Sequence, residues 1–143
     1  GTEAVAIQLA TCCRPIPGHP ILALLPEGPG MRIHTHACRS VRKSRSVEPN
    51  NWIHVDWEPD PGQLFDLRIR VTVRDIRGAL GRVATGISQS GANIKQVIMD
   101  GENPGLTSDL HFLIQVADRQ HLARLIRQLR RIPDVVRIIR EQE

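Results

Sequence analysis

The run Ala10-Thr11-Cys12-Cys13-Arg14-Pro15-Ile16-Pro17-Gly18, read with Ile33-His34-Thr35-His36-Ala37-Cys38, holds all three cysteines of the 143-residue chain. Two of the six histidines lie in the second run. Three thiols and one imidazole are the donor set of a closed tetrahedral zinc site. A filled shell leaves no position for water, so such a site is structural. Cys12 and Cys13 are neighbours, and their side chains converge only if the backbone turns sharply; the proline-rich run that follows is able to fix such a turn. His34 and Cys38, at i and i+4, would share a helical face. His36 and Cys38, at i and i+2, would share a strand face. Spacing therefore leaves both histidines open as the fourth ligand, and the plainer alternative is free core cysteines with surface histidines.

Working outward, residues 1–11 are mildly apolar and read as a short strand or turn. Three prolines between positions 15 and 20 forbid a helix there. Residues 20–25 read as a strand, 26–30 as a turn and 31–35 as the returning strand of a hairpin. Residues 36–45 suit one or two helical turns with a basic face. Residues 52–57 alternate strictly, with Ile53, Val55 and Trp57 on one side. Two prolines and a glycine in Glu58-Pro59-Asp60-Pro61-Gly62 mark a linker. The boundary places one small domain at 1–60 and a second at 64–143. A core of about 60 residues is marginal, which makes a metal staple physically sensible.

The second half is regular. Phe65, Leu67, Ile69, Val71 and Val73 alternate with polar residues, the pattern of a half-buried strand. Residues 74–78 read as a loop. Leu80, Val83, Ala84 and Ile87 recur on one helical face, and Gly91 stops that helix. Residues 93–99 form a second strand, 100–105 a hairpin loop, and Leu110, Phe112, Ile114 and Val116 a third strand. Asp118 caps a helix with the apolar stripe Leu122, Leu125, Ile126 and Leu129. Pro133 ends it, and 135–139 form a last strand. The fold class is α+β: a small zinc-stapled β-rich domain, then a ferredoxin-like βαββαβ domain with both helices on one sheet face.

Composition narrows the function. Apolar content of 41% is that of a globular chain, with two Trp, two Phe and no Tyr. The net charge is +4. Residues 1–62 carry six Lys/Arg against six Asp/Glu; residues 63–143 carry thirteen against nine, the whole excess. That balance permits an acidic or nucleic-acid partner without demanding one. Three cysteines make a poor disulfide framework and a plausible metal set, which suits a cytoplasmic setting. No apolar run is long enough to cross a membrane as a helix, and no leader pattern opens the chain. Gly1-Thr2 without a methionine reads as a piece of a longer chain. There is no GxxxxGK[ST] loop and no HExxH, and no catalytic residue is assigned.

Ala10 to Gly18, followed by Gly30-Met31-Arg32-Ile33-His34-Thr35-His36-Ala37-Cys38-Arg39, resembles the conserved-cysteine or zinc-finger domain of the RelA/SpoT family, the synthetases and hydrolases of the alarmone (p)ppGpp. In that family a C-terminal ACT domain follows, which matches the βαββαβ half, so the resemblance spans essentially the whole chain. It implies the ligand set Cys12, Cys13, His34 and Cys38, against His36, with structural Zn2+. His19 departs from the pattern, where the family usually has an acidic residue. The CCRPIPG form is closer to the bifunctional or hydrolase-leaning members.

The resemblance also implies a regulatory fragment, not an enzyme, whose catalytic domains lie upstream in the parent chain. ACT domains often bind amino acids between the first strand–helix loop of one copy and the second strand of its partner, so a homodimer through the ACT sheet is expected. The matching residues are Asp75, Ile76, Arg77, Gly78, Ala79 and Leu80, with Ala92, Asn93, Ile94 and Lys95 at the strand. Amides opening a helix near Gly78-Ala79-Leu80 suit a carboxylate. The apolar neighbours Ile76, Leu80 and Ile94 suit a branched-chain amino acid. The alternative is a module that docks on ribosomal RNA and dimerises, with Arg39, Arg42, Lys43 and Arg45 contacting phosphates.

Overall fold

The computed structural model describes residues 7–24, 30–58, 60–103 and 106–142. They divide into two compact units, one ending at Pro61 and the other running from Gly62 to Glu141.

The first unit is built on a sheet of β1 (Ile7–Leu9), β2 (Ile21–Leu24), β3 (Met31–Thr35) and β4 (Trp52–Val55) in the order β1-β3-β2-β4. β1 lies parallel to β3, and β2 is antiparallel to both β3 and β4. The helix α1 (Arg39–Val47) and a short 3-10 turn (Pro49–Asn51) lead into β4. The pleat sends alternate side chains to opposite faces. Ile21, Ala23 and Ile33 gather on one side with Met31, Val55 and Trp57 packed against them. Ala10, Cys13, Leu22, Cys38 and Val41 gather on the other, with Cys12 and Trp52. Val41 is fully buried while its helical neighbours Arg39, Arg42 and Lys43 are exposed. This single apolar contact, with the Trp52 Nε1 donating to Ser44 Oγ at 3.1 Å, fixes which face of α1 looks outward. The expected turn at 26–30 lies mostly outside the described residues.

The second unit has the order β5 (Phe65–Val73), α2 (Ile76–Gln89), β6 (Asn93–Asn103), β7 (Thr107–Val116), α3 (Arg119–Arg130) and β8 (Val135–Glu141). Its sheet runs β6-β7-β5-β8, antiparallel throughout. Phe65, Leu67, Ile69, Val71 and Val73 are buried beside Leu110, Phe112, Ile114 and Val116. α2 and α3 pack on the sheet and on each other. Asp118 caps α3 by accepting from the His121 amide at 2.8 Å. His121 is buried and ties two loops together: its Nδ1 accepts from Ala117 N at 2.9 Å and its Nε2 donates to Ser90 O at 2.7 Å.

Two expectations need correction. The loop at 74–78 is shorter than read: α2 begins at Ile76, because Asp75 has extended backbone and caps it by accepting from Arg77 N at 3.2 Å. The buried stripe of α2 is accordingly Ala79, Val83, Gly86 and Ile87; Leu80 and Ala84 are only half-buried. β6 also continues through the expected hairpin loop as far as Asn103, with pairing irregularities between Ile94 and Gln96 and between Met99 and Glu102.

The other sheet face mixes charged residues of β5 with Ile98, Leu113 and Ile139, and His111 sits in its middle. Its Nε2 lies 2.6 Å from Asp100 Oδ2 on β6, and its Nδ1 2.6 Å from Glu141 Oε1 on β8. A neutral imidazole has one N–H, so two carboxylate contacts call for the imidazolium. Burial alone would lower the His111 pKa, but hydrogen bonds and charge from Glu141 and Asp100 outweigh it and raise it above 6.5. The resulting stabilisation is complete below the unfolded value and is lost as pH rises through the raised folded value. Urea unfolding of the wild type and His111→Gln should therefore differ most below about pH 6.5 and converge at higher pH. A difference that stays constant with pH would contradict the clasp.

Candidate metal centre

The adjacent cysteines converge because the chain turns on itself at once. Arg14 N donates to Ala10 O at 2.9 Å, and Arg14 adopts a left-handed φ of 42°. A second turn, His19 N to Ile16 O at 3.2 Å, buries Ile16 completely and passes through Gly18 at φ 100°. The sharp bend therefore lies at residues 10–14, ahead of the prolines expected to make it. On the other side, β3 ends at Thr35, and Cys38 N donates to Thr35 O at 3.1 Å. His34 is thus a strand residue, and Cys38 is the N-cap of α1. Neither the helical nor the strand spacing argument applies, because a turn separates the two residues.

One donor atom each from Cys12, Cys13, His34 and Cys38 lies within 4.8 Å of the others. Cys12 Sγ is 3.4 Å from His34 Nδ1 and 3.7 Å from Cys38 Sγ, and Cys13 Sγ is 3.8 Å from His34 Nδ1. A tetrahedron with metal–sulfur bonds of about 2.3 Å and metal–nitrogen bonds of about 2.0 Å has sulfur–sulfur edges of about 3.8 Å and sulfur–nitrogen edges of about 3.5 Å. The three separations above match edges of such a figure, and the remaining donor pairs lie within 4.8 Å. A disulfide would bring two sulfurs to about 2.05 Å, and all three cysteines are free thiols.

The surroundings favour this set. Thr35 N donates to Cys13 Sγ at 3.4 Å. Burial opposes ionisation of Cys38, but the amides of Val41 and Ser40 at the start of α1 hold its pKa below the ordinary thiol value. Burial, then the neighbouring Cys13, push Cys12 up to about 12, and burial also raises Cys13. Three thiols crowded together cannot all ionise without a cation between them, which is the electrostatic condition a metal relieves. Burial, then Arg32, lowers the His34 pKa, keeping the ring neutral as a ligand must be. The Trp52 ring meets His34 edge-on, with centroids 5.5 Å apart. Alternation along β4, which sends Trp52 to the face opposite Ile53 and Val55, was the signal for that contact. His36 lies outside the set, its ring 5.9 Å from that of His54.

The residues assigned to amino-acid binding are more dispersed. Asp75, Ile76, Arg77, Gly78 and Leu80 lie on the first turns of α2, with Asp75 and Arg77 exposed. Ala79 is fully buried and faces the core. Gly78 is helical, and a Cβ there would meet Arg82 Nη1 at 2.7 Å. Its bare backbone leaves room for that guanidinium, which pairs with Asp134. Asn93 and Ile94 follow the other end of α2, and 14 residues of helix separate the two groups by about 20 Å within one copy. Asn93 Nδ2 donates to Gln115 Oε1 at 3.4 Å, and Lys95 pairs with Asp66 at 2.9 Å. Arg39, Arg42, Lys43 and Arg45 are all exposed on α1. Among the described residues no helix is long and apolar enough to cross a membrane.

Residues 1–58 match the RelA/SpoT RIS domain, and residues 61–140 match the ACT domain. The bifunctional (p)ppGpp synthase/hydrolase SpoT of Escherichia coli (strain K12) is 34% identical over 142 residues, 99% of this chain and 20% of that protein. A GTP pyrophosphokinase of Streptomyces coelicolor is 29% identical over 140 residues, 98% of this chain and 16% of that protein. A GTP pyrophosphokinase of Escherichia coli (strain K12) is 26% identical over 129 residues, 90% of this chain and 17% of that protein. The chain spans no more than about a fifth of the length of these relatives.

Titration of the reduced chain with Co2+ should give one equivalent bound, with the absorption of a tetrahedral thiolate complex. His36→Ala should keep that equivalent, whereas His34→Ala should weaken binding at least about tenfold. Equal losses from the two variants would remove His34 from the set.

Proposed function

Because the chain belongs to the RelA/SpoT family, as a RIS domain followed by an ACT domain, we propose that it is the regulatory region of a stringent-response enzyme that makes or breaks (p)ppGpp. The observation that carries this reading is the match of both domains, in that order, along almost the whole chain. The region holds no share in the chemistry. It shifts the balance of hydrolase and synthetase activity in catalytic domains upstream in the parent chain. An effector achieves this only by binding the two states of the whole enzyme unequally.

The first unit carries structural Zn2+ on Cys12, Cys13, His34 and Cys38. Zinc suits three thiolates and an imidazole in a tetrahedron, and a full set of four leaves no position for water. The ion would lock the turn at 10–14 to the start of α1. With α1 so held, Arg39, Arg42, Lys43 and Arg45 face solvent as a basic ridge.

The second unit senses an amino acid, with a branched-chain side chain as the best fit. The pocket forms between two copies, since the α2 start and the β6 start lie at opposite ends of one helix. β6 is an edge strand with Val97, Ile98 and Met99 exposed, which favours pairing with a second copy. Asp75 already occupies the start of α2, so it suits the ligand ammonium, and the exposed Arg77 suits the carboxylate. Ile76, Leu80 and Ile94 supply the apolar surroundings. The rival reading is docking on ribosomal RNA through the ridge on α1, favoured by the exposure of all four cations.

Calorimetry of the chain against valine, leucine and isoleucine should give a saturable signal, lost in Asn93→Ala and Asp75→Asn. Silence with every amino acid, together with salt-sensitive RNA binding weakened by Arg42→Glu and Lys43→Glu, would replace sensing by docking.

A further inference from the structure

The four donors of the metal set are not equally sheltered. Cys13, His34 and Cys38 are 3%, 7% and 2% exposed, whereas Cys12 is partly open to solvent. The Cys38 Sγ lies 3.7 Å from its sulfur. We propose that Cys12 and Cys38 are a hydroperoxide-sensitive pair, in which Cys12 is oxidised first and Cys38 closes a disulfide on it.

Access selects Cys12 over the more acidic but buried Cys38 as the point of attack, because a hydroperoxide must meet the sulfur directly. The raised Cys12 pKa slows this step in the metal-free chain relative to one in which a cation holds the sulfur as thiolate. The Cys12 sulfur attacks one peroxide oxygen and the O–O bond breaks. An alcohol leaves, or water where the oxidant is hydrogen peroxide, taking the thiol proton, and Cys12 becomes a sulfenic acid. The Cys38 sulfur then attacks the Cys12 sulfur and the S–O bond breaks. Hydroxide leaves with the Cys38 proton as a second water. The two sulfurs together lose two electrons, and the peroxide gains them. Where the sulfurs start as thiolates, the two protons come from solvent.

Geometry selects Cys38 over Cys13 as the resolving partner. Residues joined by a trans peptide have Cα atoms about 3.8 Å apart, below the roughly 4.4–6.8 Å that an unstrained disulfide spans. Cys12 lies in a turn, and its sulfur needs to approach Cys38 by roughly 1.7 Å to reach bonding distance. Closure ties residue 12 to the N-cap of α1 covalently, so the loop and helix stay joined. It also removes two of the four metal donors. The loss of metal rests on the zinc reading above; the disulfide does not.

The test treats the reduced chain, both zinc-loaded and metal-free, with hydrogen peroxide. Peptide mapping by mass spectrometry is run beside a colorimetric zinc assay. The expected product is a cross-linked peptide joining Cys12 to Cys38, with the Cys13 thiol retained and one equivalent of zinc released. Cys12→Ser should slow thiol loss at least about tenfold. Cys38→Ser should leave a sulfenic acid at Cys12, trapped by a 1,3-diketone. A cross-link through Cys13, first oxidation at Cys13 or Cys38, or no cross-link in the wild type overturns the proposal. A chain that forms the disulfide but takes up no zinc defeats the metal reading alone. One that holds zinc and resists peroxide defeats the pairing alone.

Discussion

Four soft donors held within 4.8 Å of one another are the constraint around which the first unit is organised. The unit is too small for its core to be secure by burial alone. Its two apolar clusters lie on opposite faces of a four-stranded sheet, and neither contains a large aromatic buried outright. The donors come from a tight turn, a strand and a helix start, so one coordination sphere would replace many weak contacts. The elevated Cys12 and Cys13 pKa values express the same fact as a cost: without a cation, the cluster resists ionisation. The basic ridge of α1 inherits its orientation from this arrangement through Cys38, Val41 and the Ser44–Trp52 contact.

The second unit needs no such staple. Its central strand β5 is paired on both sides, and five alternate residues of that strand are buried beneath two helices. Charges on the open face are matched locally, with Lys95 on Asp66 and His111 between Asp100 and Glu141. It leaves exposed the start of α2 and the edge strand β6, as well as the opposite edge β8. The first two are the features a ligand shared between two copies would use, which is why sensing and dimerisation belong together in the proposed role.

Much of this architecture was legible in the sequence. Alternation at 65–73 and 110–116 and the cap at Asp118 each mark their element through a local physical rule. Errors came where two rules competed. The loop read at 74–78 ran as far as Gly78, yet Gly78 is helical and makes room for Arg82; the cap at Asp75 decides where α2 begins. The choice between His34 and His36 was invisible to spacing, because neither a helix nor a strand runs from His34 to Cys38. Only the turn at residues 35–38 brings strand and helix start together, and no periodicity reports a turn of that kind. The His111 clasp was equally hidden, since its partners lie on β6 and β8, and pairing register alone makes them neighbours.

The central claim is that three sulfurs and one nitrogen from these named residues surround a single ion. X-ray absorption on the zinc-loaded, reduced chain tests it most directly. The account predicts a shell of three sulfurs at about 2.3 Å and one imidazole nitrogen at about 2.0 Å, without oxygen. A shell with two or fewer sulfurs, or with a bound water, would contradict a closed structural site.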